Sequence, residues 1–154
     1  MFGQFVGAWD LRVRFFDESA QMTYDDRGEW SFGWVLDGRT LQDVLAFPDP
    51  ETGGAAVGER RIGTTIRQFL PSSRTWSVTW IGAVSGVVHT SSARRVSEEI
   101  WIEATEDDGS TVRAVFSDIT SAAFRWESLI SPGGGTSWRR EQEILASRRT
   151  ISAK

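Results

Sequence analysis

Residues 28–47, GEWSFGWVLDGRTLQDVLAF, place Trp30, Phe32 and Trp34 at every second position. On an extended strand these rings share one face, and Glu29, Ser31, Gly33 and Val35 share the other. Asp37-Gly38 follows at once, a dipeptide suited to a type I′ hairpin turn, and Leu41, Asp43, Leu45 and Phe47 then repeat the period of two. The pattern predicts two antiparallel strands joined by a tight turn. The aromatic wall on one side of them must be buried or must bind something.

The same period runs through the rest of the chain. GAWDLRVRFF sets Trp9, Leu11, Val13 and Phe15 against Asp10, Arg12 and Arg14. RRIGTTIRQFL, TWSVTWIGA, GVVHTSSARRV, SEEIWIEA, TVRAVFSDI and TSAAFRWESLI follow, separated by PSSR, AVSG, a Val96-Ser97 corner, EDDGST and SPGGG. Short alternating segments with turn signals between them predict an all-β fold. About ten sequential strands are too many for a flat sheet in this length, so they curl and close, which removes exposed edges. The expectation is a single domain over residues 1–154: a closed antiparallel up-and-down β-barrel of about 8–10 strands, with a β-sandwich as the rival. DESAQMTYDDRG reads as a turn or short lid, and PDPETGGAAVGE (48–59) as a long loop of the kind that covers a site. WRREQEILASRR reads as the last strand or, from its Glu, Gln, Leu, Ala and Arg content, as a short helix.

The composition excludes several functions. A net charge of −4 argues against a phosphate-binding surface, so nucleic acid is not an expected partner. With no cysteine there is no disulfide, thiolate metal site or thiol nucleophile. MFGQFVGAWD lacks the basic and apolar regions of a signal peptide, and no apolar run approaches membrane-spanning length, so a cytoplasmic protein without a membrane partner is expected. A homodimer is compatible with the sequence. Eight Trp and nine Phe against one Tyr is the unusual feature, because each ring carries a large area that must be sheltered.

The GAWD of residues 7–10 and the arginines at 139, 140, 148 and 149 resemble the calycin superfamily, in which a Gly-x-Trp on the first strand packs at the closed barrel end beneath a late arginine. The order GAWD, GEWSFGWVLDGR, QDV, GTTIR, WSVTWIG, FSDI, FRWES and GGGTSWRR is similar to bacterial lipocalin-like domain proteins, many of them uncharacterised. The resemblance implies a barrel that holds a small apolar molecule inside.

If Trp9, Leu11, Val13 and Phe15 face inward, Trp30, Phe32, Trp34, Phe47, Trp76, Trp80, Phe116 and Trp126 do so too, and these are the candidate ligand-contacting rings. Large flat rings suit a packed core as well as a cavity wall. Polar residues on the same faces discriminate better, because burying them is costly without partners. Asp43, Arg67, His89 and Asp118 are the candidates. An Asp and an Arg inside one barrel either pair to hold the fold or present an acid and a donor to a ligand. Histidine as a side-chain type titrates near neutrality, which suits His89 to proton transfer. One histidine without cysteine makes a poor metal site, no cofactor is expected, and no G-x-S-x-G elbow is present. The first function expected is binding of a small, largely apolar organic ligand. The second is a cofactor-free cyclase, isomerase or lyase acting on a polyketide- or terpenoid-like metabolite, with Asp43, His89 or Asp118 as acid or base and Arg67 stabilising negative charge.

Overall fold

The computed structural model describes residues 1–48 and 60–150. A short 3₁₀ turn, Phe2–Phe5, precedes ten strands: β1 (Gly7–Phe16), β2 (Met22–Val35), β3 (Thr40–Phe47), β4 (Arg61–Leu70), β5 (Thr75–Gly82), β6 (Val88–Val96), β7 (Glu99–Thr105), β8 (Thr111–Ser117), β9 (Ala123–Ser131) and β10 (Arg139–Arg148). They form one closed antiparallel barrel in which every strand pairs with its neighbours in sequence and β1 pairs with β10, from Trp9 opposite Arg148 to Phe15 opposite Gln142. This is the expected up-and-down barrel, and the sandwich is excluded. Among the described residues, closure leaves the sheet no edge strand.

Two local readings change. Residues 22–28 belong to β2, so the first turn spans only 17–21, and the expected loop at 48–59 lies outside the described residues apart from Pro48. The helical alternative for 138–149 does not form, because β10 is hydrogen-bonded to strands on both sides and buries Ile144 and Ala146 against the core. Tertiary pairing overrides helix propensity there. The Asp37-Gly38 turn forms as read, with φ of 56° and 76° at the two residues and the Arg39 N–H donating to the Leu36 carbonyl at 3.2 Å. Asp tolerates that left-handed backbone and Gly adopts it freely.

One barrel end is plugged. The 3₁₀ turn folds across it and sinks Phe2 and Phe5, both fully buried, against Trp76, Phe32, Phe116 and Phe124 at ring separations of 4.8 to 6.1 Å. Trp9 lies beside them, its Nε1–H donating to the Phe5 carbonyl at 2.7 Å and its ring edge-on to Phe124 at 4.6 Å. The Arg148 guanidinium stacks 4.1 Å from the Trp9 ring centroid and donates to the carbonyls of Ser121, Val6 and Gln4 at 2.6 to 2.9 Å. Gly7, at φ 126°, is required at this knot, since a Cβ there would sit 2.8 Å from Arg148 Nη1. The Gly-x-Trp and late arginine therefore meet as the resemblance implies.

The outer face of β1, β2, β9 and β10 carries an ion-pair belt: Arg12 with Asp25, Arg14 and Arg125 with Glu143, and Arg140 with Glu127 and Glu143. Arg140 and Arg148 are engaged in these contacts, and Arg149 binds Asp10 at 2.6 Å, so the C-terminal arginines do not form a free basic patch. Asp25 is held below the usual carboxylate range, first by the hydrogen bond from Arg12 and then by the charges of Arg12 and Arg14. A lowered folded-state value means that the contribution is fully present above pH about 4 and is lost as pH falls through the lowered value. Asp25→Asn should flatten the dependence of melting temperature on pH below about 4. Parallel curves for the two proteins would refute the assignment.

Candidate functional site

β1 starts at the plugged end, so the antiparallel order brings the ends of β1, β3, β5, β7 and β9 and the starts of β2, β4, β6, β8 and β10 to the other, open end. Between plug and opening lies a cavity of about 390 Å³. Trp30, Phe47, Trp80 and Trp126 supply its aromatic walls, with Leu45, Val78 and Ile102 between them, and Arg67, His89, Ser91, Glu106 and Gln142 are its main polar members. Gly63 shapes one wall, because a Cβ on it would overlap the Trp80 ring and lie 2.8 Å from the Ile81 carbonyl oxygen. Absence of a side chain on β4 lets the indole approach the neighbouring backbone closely.

The cavity floor is an ion pair. Register sets Asp43 opposite Thr65 and Leu41 opposite Arg67, so an aspartate on β3 and an arginine on β4 project inward one step apart. Asp43 Oδ2 accepts from Arg67 Nη1, and Oδ1 accepts from the Thr65 backbone N–H at 3.1 Å. Arg67 is only 2% exposed, and its guanidinium carbon lies 5.0 Å from the Phe2 ring and 5.4 Å from the Phe32 ring. An uncompensated charge at this depth is strongly disfavoured, so each residue requires the other. Of the two roles open to an internal Asp and Arg, the geometry assigns pairing within the fold. Arg67 still forms part of the cavity surface.

The upper wall holds a second polar group. His89 Nε2 lies 2.8 Å from Glu106 Oε1, and His89 Nδ1 lies 3.2 Å from Ser91 Oγ. His89 and Ser91 alternate on β6 and so project to the same side, while Glu106 reaches in from just beyond β7. At the opening, Arg61 spreads over Phe15, Tyr24 and Phe47 at 5.0, 5.5 and 6.0 Å. Burial pushes the Tyr24 hydroxyl up from its ordinary value, Asp26 adds to this and Arg61 opposes it.

The structure divides the expected site residues. Trp30, Phe47, Trp80, Trp126, Arg67 and His89 line the cavity, and Asp43 lies directly behind Arg67. Phe32, Trp76 and Phe116 pack with the plug instead, as core. Trp34 is a correction: it is 47% exposed, because the 3₁₀ turn already fills the barrel end and the indole lies over its outer side against Gly3. Asp118 is a second correction. β8 ends at Ser117, Asp118 turns to φ 50°, and the broken alternation leaves its carboxylate exposed outside the barrel. Glu106, Ser91 and Gln142 were not expected. For Glu106 the signal was present, since Ile100, Ile102, Ala104 and Glu106 continue one alternating face beyond the residues read as strand.

No family model matches the chain, and no curated protein matches it in sequence. Among solved structures the chain is similar to the S-type phycobiliprotein lyase CPES from Guillardia theta, with a TM-score of 0.66, 10% sequence identity, and 98% of this chain and 92% of that chain covered. At this identity the likeness is one of fold, and the fold is a lipocalin-like, calycin-type closed barrel. Among the described residues no helix is long and apolar enough to cross a membrane.

Proposed function

We propose that the barrel binds one small, largely apolar, ring-containing organic molecule in the cavity between plug and opening. The observation that carries this reading is the uneven use of aromatic side chains. Rings pack against one another in the lower barrel, yet Trp30, Trp80 and Trp126 stand around about 390 Å³ of open space. Ligand sites run from about 300 to 1,000 Å³, so this one suits a compact ring system, and a longer molecule would extend through the opening past Arg61. The likeness to a protein named as a phycobiliprotein lyase supports a barrel of this kind handling a non-protein organic group, and a bilin belongs among the molecules to be tried.

The test is a tryptophan-fluorescence titration with naphthalene, 2-naphthoate, indole and biliverdin. Saturable quenching at one equivalent is expected for at least one of them. Trp80→Ala and Trp126→Ala should each weaken that affinity at least tenfold, about 1.4 kcal/mol, whereas Trp34→Ala should leave it unchanged. A flat response to every probe would overturn the proposal.

A cofactor-free enzyme is the second reading, favoured by the His89–Glu106 contact on the cavity wall. Acid–base work in it falls to these two residues, because Asp43 is committed to Arg67 and Thr65 and Asp118 is outside.

A further inference from the structure

We propose that Ser91, His89 and Glu106 form a nucleophile, base and orienting carboxylate that hydrolyse the ester of a small apolar acid held in the cavity. This rests on the ligand-binding reading above and adds a reaction to it. The three side chains form an unbroken hydrogen-bonded chain, Ser91 Oγ to His89 Nδ1 at 3.2 Å and His89 Nε2 to Glu106 Oε1 at 2.8 Å, and all three line the same cavity. A nucleophile within reach of a base that a third group orients is the constellation by which such sites are recognised, whatever the fold or the order in sequence.

The mechanism uses the neutral imidazole tautomer in which Nε2–H donates to the Glu106 carboxylate. Nδ1 is then the lone-pair nitrogen, and the Ser91 hydroxyl donates to it. That is the tautomer in which His89 takes a proton from Ser91. Barrel register sets Ser91 opposite Val78 and Val78 opposite Arg67, so serine and arginine share one row across β6, β5 and β4. Their backbones are two interstrand spacings apart, about 10 Å, with Val78 between them, and both side chains line the cavity. Arg67 is neutralised by Asp43, so what it can offer the developing oxyanion is its unpartnered Nε–H donor and not a net charge.

Ser91 Oγ attacks the carbonyl carbon while its proton passes to His89 Nδ1, giving a tetrahedral oxyanion. Collapse of that species breaks the C–O bond to the alcohol, which leaves with the proton from Nδ1, and the acyl group stays on Ser91. Water attacks the acyl-serine, passes a proton to Nδ1, and releases the carboxylic acid as the proton returns to Ser91 Oγ. Ester and water give acid and alcohol. The His89 and Glu106 side chains are 34% and 37% exposed, so water reaches the upper wall for the second half. The blind cavity admits a small ester and excludes a folded polypeptide.

The experiment uses the full chain with 2-naphthyl acetate, and follows tryptophan quenching for binding and 2-naphthol by chromatography for cleavage. A fluorophosphonate probe, with mass spectrometry of the labelled peptide, reports on the nucleophile. Wild type should release 2-naphthol and carry the label on Ser91. Ser91→Ala should lose the label and at least about 100-fold in kcat with quenching retained, and His89→Gln should lose as much. Glu106 acts through His89 as a positioning residue, so Glu106→Gln should lower kcat with KM unchanged, a split that a general loosening of the wall would not produce. Saturable quenching by the ester without cleavage or labelling would overturn the hydrolytic proposal and leave the binding reading standing. Absence of quenching, cleavage and labelling together would overturn the hydrolytic proposal, and the binding reading falls with it when the four probes above also give a flat response.

Discussion

Arg67→Leu should destabilise the protein by about 3–5 kcal/mol, because it leaves the Asp43 carboxylate buried beneath the cavity with only the Thr65 N–H as partner. For a chain of this length each kcal/mol moves the melting temperature by roughly 2–4 °C, so a fall of the order of 10 °C is expected. Asp43→Leu should cost as much, by leaving Arg67 unpaired among Phe2, Phe32 and Phe116. The informative protein is the double variant. Replacing a buried ion pair by apolar residues of similar size is often close to neutral, so Arg67→Leu/Asp43→Leu should recover most of the loss of either single change. Urea unfolding of the three variants measures this directly. Additive losses in the double variant would show that the two residues do not act as a pair. The same protein separates fold from function: if Arg67 also contacts ligand or substrate, the stable double variant will still bind or turn over poorly.

The strands were legible because a barrel wall has an apolar inside and a polar outside, and that contrast is written at period two in segments such as Gly28–Phe47. The closed end was legible in part. Gly7, Trp9 and Arg148 were visible as types and places, but the plug was not, since FGQF shows neither strand alternation nor a helical period and its phenylalanines are buried by partners from distant strands. That omission explains the error at Trp34, whose inward register is correct for a hollow barrel and meaningless beyond a filled one. Asp118 failed for a local reason, a left-handed residue directly after the strand, which alternation cannot foresee. Among the polar residues, Asp43, Arg67 and His89 stood out because charge on an apolar face is conspicuous. Ser91 did not, because a serine in HTSSARR is unremarkable until register places it in a row with Arg67 and beside an imidazole.

Trp9→Ala should be the most damaging single change at the plugged end, at about 3–5 kcal/mol, the range for removing a fully buried large aromatic. Three contacts go at once: the packing on Phe124, the platform under Arg148, and the donor to the Phe5 carbonyl. The last of these ties the 3₁₀ turn to β1, so its loss frees the segment that carries Phe2 and Phe5. Trp9→Phe divides the effect, keeping a ring against Phe124 and Arg148 while removing the hydrogen bond, and should cost less, about 1–3 kcal/mol for an unsatisfied buried carbonyl and a smaller ring. Urea unfolding ranks the two, and equal losses would mean that the hydrogen bond, rather than the ring, holds the knot. The ligand titration should respond differently. Trp9 does not line the cavity, but the plug it secures supports Arg67 through Phe2, so folded Trp9→Phe should bind with nearly wild-type affinity while melting earlier. An affinity loss larger than that of Trp80→Ala would mean that binding depends on the plug more than on the aromatic walls.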